Sequence, residues 1–279
     1  MYKKILEYYY IGNRPPMLPA DSIAYRCRFC GRVLTKDFFQ KRAHAVSEGI
    51  GNRSIFTSYE CDDCNQRFAD HEENELGELF HLYKALRGKH GKKGTVKMRG
   101  GRFSYSEDKT FTAHIDMKTK QFSIVPEFAP NGALALTYSV KKTINLRLVY
   151  RAFIKFALSV IPENISLELE QGYKMLKENK KFPSYHGVML LFHEEIPKPC
   201  IAVYESDSEN AIPKYFCTVD IYQMRYIIPL DFNNVIESIP NDIIMSVDYP
   251  TNMLFDKCSF DYSDEARALI QKEQPYHRS

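Results

Sequence analysis

Apolar positions recur along this chain with two different periods. Leu76, Leu79, Phe80, Tyr83 and Leu86 follow the spacing of a single helix face, and Gly88 stands where such a helix would stop. Ile144 to Val160 predicts a second helix, with a stripe of Leu146, Val149, Tyr150, Phe153, Ala157 and Val160. A third is expected near Leu167 to Glu178. Short apolar or alternating runs predict strands at Phe38–Val46 and Arg53–Tyr59, with Gly49 and Gly51 in the connection. Further strands are expected at Thr95–Met98, Arg102–Tyr105, Thr110–Asp116, Gln121–Val125, Val188–His193, Ile201–Tyr204, Tyr215–Ile221 and Arg225–Ile228.

These elements predict an α+β fold in three regions. Residues 1–26, with Arg14-Pro15-Pro16 and Pro19, are expected to form an extended arm. Residues 27–90 hold paired cysteines and predict a small metal-braced module. Residues 95–279 predict a larger α+β domain of unrecognised type, with no internal repeat.

Composition is that of a chain with a buried core: 44% hydrophobic and 26% charged. No run of about eighteen apolar residues would span a membrane. The start, MYKKILEYYY, lacks the apolar core of a secretion signal, so a cytoplasmic location is expected. The net charge of +3 says little, but its distribution says more. Lys84 to Arg102 carries eight Lys or Arg and no acid, directly after an acidic stretch at Asp70–Glu78. Such a segment, including Lys89, Lys92 and Lys93, can neutralise nucleic-acid phosphates, or it can be a solvated linker punctuated by glycines. Arg147, Arg151 and Lys155 recur every four residues on the second helix, which reads as a solvated face before it reads as a nucleic-acid groove.

The cysteines separate into two classes. Cys27-Arg-Phe-Cys30 and Cys61-Asp-Asp-Cys64 form pairs, whereas Cys200, Cys217 and Cys258 are scattered. The odd total argues against a disulfide framework. Two Cys-x-x-Cys pairs supply four thiolates, the donor set of a closed tetrahedral Zn²⁺ site. Such a site is structural and substitutes for a core that so short a module cannot build.

Between the pairs lies Arg42-Ala43-His44-Ala45-Val46-Ser47-Glu48-Gly49-Ile50-Gly51-Asn52, and Asn65 follows Cys64 directly. Over residues 27–75 this arrangement resembles the HNH endonuclease superfamily, in particular bacterial members whose ββα-metal motif is braced by a four-cysteine zinc. The resemblance implies that His44 is the general base that deprotonates water, a role suited to a side chain titrating near neutrality. It implies that Asn65 supplies an oxygen ligand to a catalytic Mg²⁺ or Mn²⁺. The zinc would touch no substrate and would hold the helix that presents Asn65. One position departs from the pattern. The residue before the base is usually Asp, Glu or His, a second metal ligand, and here it is Ala43. Glu48, His71 and Asp70 are the candidate replacements, with Glu48 and His71 ahead. Asn65 also suits a helix cap, and Glu48 an ordinary surface position. Arg53 and Arg67 can contact backbone phosphates or sit in surface salt bridges.

The expected function is metal-dependent hydrolysis of nucleic-acid phosphodiesters, with DNA as the expected substrate. By analogy alone, bacterial defence is the expected setting, with an activating ligand or partner protein at the C-terminal domain. The alternative is a zinc-containing nucleic-acid-binding protein with impaired catalysis, favoured by Ala43. A third reading is a protein-interaction module for which the zinc ribbon is only a scaffold.

Overall fold

The computed structural model describes residues 1–12, 25–86, 90–91, 94–95, 97–98, 101–105, 111–115, 124–128, 134–138, 144–236, 239, 243 and 255–261. The chain forms two compact units, Met1–Glu75 with Leu146–Ser279, and Leu76–Asn145. In chain order the first unit opens with β1 (Tyr2–Tyr9), β2 (Tyr25–Arg26), β3 (Val33–Leu34), β4 (Ala43–His44), β5 (Phe56–Thr57) and α1 (Asp62–Asp70). The helix α2 (Glu72–Leu79) crosses the boundary between the units. The second unit then holds α3 (His81–Leu86), β6 (His90–Gly91), β7 (Gly94–Thr95), β8 (Lys97–Met98), β9 (Gly101–Tyr105), β10 (Phe111–Ile115), β11 (Ile124–Phe128) and β12 (Leu134–Tyr138). The first unit resumes with α4 (Leu146–Val160), α5 (Glu163–Glu168), α6 (Glu170–Lys177), β13 (His186–Phe192), β14 (Cys200–Ser206), β15 (Tyr215–Ile221), β16 (Met224–Pro229) and β17 (Phe255–Asp261).

The expected α+β class matches this mixture of helix and sheet, and the expected boundaries are corrected. Residues 2–9 do not form an arm: β1 pairs antiparallel with β14, Tyr9 facing Cys200 and Tyr2 facing Ser206, with a bulge between Lys4 and Leu6. Residues 13–24, with Arg14-Pro15-Pro16 and Pro19, lie outside the described residues. The division expected between residues 90 and 95 falls inside the second unit, which interrupts the first. In that second unit β8, β9 and β10 form an antiparallel sheet, and β11 pairs with β12. Among the described residues, no helix is long and apolar enough to cross a membrane.

The first unit is built on an antiparallel sheet in the order β1-β14-β15-β16-β13-β17. Residues alternate between its faces. Val188, Leu190, Ala202, Tyr204, Phe216 and Ile227 share one face and cluster with Tyr2, Phe192 and Ile196. Tyr226, next to Ile227 and so on the opposite face, stacks on Phe153 of α4 at 4.7 Å between ring centroids. At the β15–β16 turn Asp220 accepts from Arg225 Nε at 2.6 Å and Nη2 at 2.8 Å, and from the Cys200 backbone N–H at 3.1 Å. One buried carboxylate thus ties three strands together.

Every residue of α4 from Val149 to Val160 is buried. The expectation of a basic, solvent-facing row on this helix therefore fails: Arg151 is 1% exposed and Lys155 is 0% exposed. Each is neutralised by acids from the N-terminal half of the chain. Arg151 Nε donates to Glu72 Oε1 at 3.1 Å, and its remaining N–H groups reach the Leu176 and Lys180 carbonyls. Lys155 Nζ lies 2.9 Å from Glu73 Oε1, 3.2 Å from Glu60 Oε2 and 2.8 Å from the His44 carbonyl oxygen. Burial opposes the Lys155 charge, but the two carboxylates outweigh it and hold its pKa above the ordinary lysine value. Burial pushes the enclosed Glu60 up to about 7, with Lys155 working against that rise.

A buried cation deprived of its partners costs far more than an exposed one. Lys155→Met keeps the stem and removes the charge. It is expected to destabilise the fold by about 3–5 kcal/mol, seen as a lower urea midpoint at neutral pH. Lys174→Met, which breaks the exposed pair with Glu170, should change stability by less than about 1 kcal/mol. An unchanged midpoint for Lys155→Met would show that Glu60 and Glu73 do not depend on it.

Candidate active site and metal centre

The first knuckle turns tightly at Gly31, whose φ of +73° lies in the left-handed region that a side chain would strain. Its N–H donates to the Cys27 carbonyl at 2.8 Å, and the Cys27 N–H donates to the Arg32 carbonyl at 2.9 Å. The second pair straddles the start of α1, with Cys61 just before its first residue. Across the two pairs Cys27 Sγ lies 3.8 Å from Cys64 Sγ, and Cys30 Sγ lies 3.9 Å from Cys61 Sγ. Both separations are far longer than a disulfide, whose sulfurs stand about 2.05 Å apart. They match the edge of a tetrahedron with metal–sulfur bonds of about 2.3 Å, which is about 3.8 Å. All four sulfurs lie within 4.8 Å of one another, so the cluster can hold a metal ion such as zinc.

Electrostatics favours such an ion. The hydrogen bond between the Cys27 and Cys64 sulfurs pulls Cys27 down to about 5 and drives Cys64 far above its ordinary value. Burial pushes Cys61 up to about 11. Thiolates packed this closely repel one another, and a dication offsets that repulsion. Arg32 adds a cationic rim, with Nε 3.4 Å from Cys30 Sγ and Nη2 2.7 Å from Asp63 Oδ2.

The four-cysteine corner leads into a succession of two short strands and a helix. β4 and β5 pair antiparallel, Ala43 facing Thr57 and His44 facing Phe56, and α1 packs against β4. Both strands are shorter than their apolar patterns predict, for a local reason in each case. The Asp62 carboxylate accepts from the Gln40 and Lys41 N–H groups at 3.1 and 2.9 Å, so these donors are lost to any ladder. The Asn52 side chain does the same to the second run. Its Oδ1 accepts from Ser54 N–H at 3.1 Å and Ile55 N–H at 2.8 Å.

Asn52 is 0% exposed and organises the whole connection. Its Nδ2 donates to the Val46 carbonyl at 2.6 Å and the Ile55 carbonyl at 2.9 Å, which uses both amide hydrogens. The same nitrogen lies 3.3 Å from His44 Nδ1, a longer and shared contact. The residue after β1 supports this loop from outside, since the Arg53 N–H donates to the Tyr10 carbonyl at 2.8 Å. Asn52 carries no role in the expected site; the signal for it in the sequence is its place at the end of the Gly49–Gly51 connection.

His44 is three-quarters buried, and its ring contacts Phe56 at 4.6 Å between centroids. Glu48 Oε2 lies 3.9 Å from His44 Nε2, so the structure brings this candidate carboxylate beside the candidate base. Glu48 Oε1 pairs with Arg53 Nη1 at 2.5 Å, which gives Arg53 a salt-bridge partner. Ala43 is 1% exposed, on the opposite side of β4 from His44. A carboxylate at that position would be desolvated in the core, which accounts for the small apolar residue.

The other expected site residues are placed less tightly. Asn65 sits in the first turn of α1, half-buried, its N–H donating to the Cys61 carbonyl at 2.9 Å. His71 is exposed at the C-terminal cap of α1, and exposed Asp70 accepts from Gln66 Nε2 at 2.9 Å. Arg67 is half-buried, and its Nη1 donates to the Leu176 carbonyl at 3.1 Å, at the end of α6. Lys89, Lys92 and Lys93 lie outside the described residues. Lys84, first of the basic run, is half-buried, and burial lowers its pKa.

No protein family, curated protein or solved structure matches this chain.

Purified protein is expected to carry one tightly held metal ion per chain, measured by elemental analysis. A chelator such as EDTA should remove it slowly and lower the melting temperature, and Cys64→Ser should abolish retention. Protein that is equally stable before and after complete metal removal would exclude a structural role for the cluster.

Proposed function

We propose that this chain is a metal-dependent endonuclease of the HNH kind, with His44 as general base and a structural Zn²⁺ in the four-cysteine cluster. One observation carries the reading. The imidazole stands at the end of a short strand, between the Asn52 amide at 3.3 Å and the Glu48 carboxylate at 3.9 Å, in a hairpin followed by a cysteine-anchored helix.

The chain's own groups suit the reaction. Neutral imidazole accepts a proton from water as the water oxygen bonds to phosphorus and the bond to the leaving oxygen breaks. The proton stays on His44, where the Glu48 carboxylate stabilises the imidazolium. The Asn52 amide and the Lys155 bond to the His44 carbonyl hold the ring and its backbone in place. Glu48 and Asn65 offer hard oxygen donors, which fit a divalent ion that keeps several waters. When bound, that ion would polarise the phosphate and stabilise the leaving oxygen. DNA is the proposed substrate.

A second reading has one specific observation in its favour. Arg53 already occupies one oxygen of Glu48 at 2.5 Å, and Ala43 supplies no ligand, so the chain could bind nucleic acid without cutting it.

Supercoiled plasmid incubated with the protein and Mg²⁺ or Mn²⁺ separates these readings. Nicking is expected with metal and not with EDTA. His44→Ala should lower the rate by about 10²–10⁴-fold, and Glu48→Gln should raise the metal concentration required. Cleavage that survives His44→Ala would remove this residue from the mechanism. Folded, zinc-loaded wild type that binds DNA without nicking it would establish the second reading.

A further inference from the structure

Resting on the reading of His44 as the base, we infer that Arg42 is the substrate-phosphate contact of this site, held ready by Phe56. Arg42 lies immediately before β4, two residues from His44. Both meet one ring. The Arg42 guanidinium lies 4.0 Å from the Phe56 centroid, and the His44 ring lies 4.6 Å from it. Phe56 is also the residue paired with His44 across the hairpin. Ala43, between them, points into the core.

The neighbouring arginines are spoken for. Arg28 donates to the Ile161 carbonyl at 2.6 Å and lies over Tyr59. Arg32 pairs with Asp63, Arg53 with Glu48, and Arg67 donates to the end of α6. Arg42 is exposed and makes no hydrogen bond or ion pair with any described residue. A guanidinium stacked on a ring keeps all its in-plane N–H donors available, and its fork matches two oxygens of one phosphate. Stacking also restricts a flexible side chain before substrate arrives, which lowers the entropic cost of the contact. The charge stands over the ring that the proposed base also contacts, just before the strand that lacks the usual acidic ligand.

The test separates phosphate contact from hydrolysis. Binding of a fluorescent DNA duplex is measured by anisotropy in EDTA, across a salt series, for wild type, Arg42→Ala and Arg42→Lys. Arg42 is exposed, so its variants should melt as wild type does. Arg42→Ala is expected to weaken binding and to make the slope of log K against log salt shallower by about 0.9, the share of one phosphate. Arg42→Lys should keep the slope and lose part of the affinity. With metal, Arg42→Ala should also cleave at least about tenfold more slowly at saturating DNA, and Arg42→Lys should recover only part of the rate.

A salt slope and affinity unchanged in Arg42→Ala would overturn the inference, whether or not wild type cleaves. Absence of any DNA binding by wild type would overturn it as well. A shallower slope in Arg42→Ala, with no cleavage by wild type, would sustain the phosphate contact while the endonuclease reading fails.

Discussion

The ammonium of Lys155 is the point on which the first unit depends. It is enclosed on a helix that contacts the large sheet through Phe153, and its three neighbours all come from the N-terminal half of the chain. In such surroundings an unpaired charge is worth several kcal/mol of instability, whereas a paired one is close to neutral. The network is therefore better read as a specifier than as a source of stability. It admits one placement of the cysteine corner against α4, and any slip leaves carboxylates without a counter-charge. Arg151 with Glu72 repeats the device one turn earlier on the same helix.

This arrangement changes how the candidate base is understood. A catalytic imidazole must be held from both its ring and its backbone. Asn52 contacts the ring and spends its amide on the loop, while Lys155 takes the carbonyl of the same residue from across the fold. The hairpin itself offers little, because its ladder is only two residues long on each strand. Side-chain hydrogen bonds from Asp62 and Asn52 shorten that ladder and replace it with a shaped loop. Regularity is exchanged for a fixed direction of one side chain.

What could be read from the sequence follows from which interactions are local. The cysteine pairs, the stripe of α4 and four strands of the large sheet, β13 to β16, were legible because spacing and period encode them directly. The polarity of α4 was not. Its basic residues recur every four positions as on a wetted helix, and only tertiary acids far along the chain reveal them as interior. The strand β1 was missed because its Tyr-rich stretch precedes a Pro-rich one, and its partner lies almost two hundred residues away. His44 and Glu48 stand close in the chain, and the 3₁₀ turn at Glu48–Ile50 turns that into proximity in space. Asn52 is invisible to periodicity, since its role is to satisfy backbone groups that a longer ladder would otherwise have used.

The interruption of the first unit by the second also has a consequence in time. Glu60, Glu72 and Glu73 are synthesised before α4 exists, and Lys155 follows Glu73 by 82 residues. On the ribosome the nascent cysteine corner must pass through a period in which its acids face water, since burying them early would leave them uncompensated. The cysteine knuckles need no partner from α4 and can close during that period. Closure of the acids over α4 has to wait for the translation of the whole intervening segment, so the candidate base gains its backbone anchor only late in the life of the growing chain.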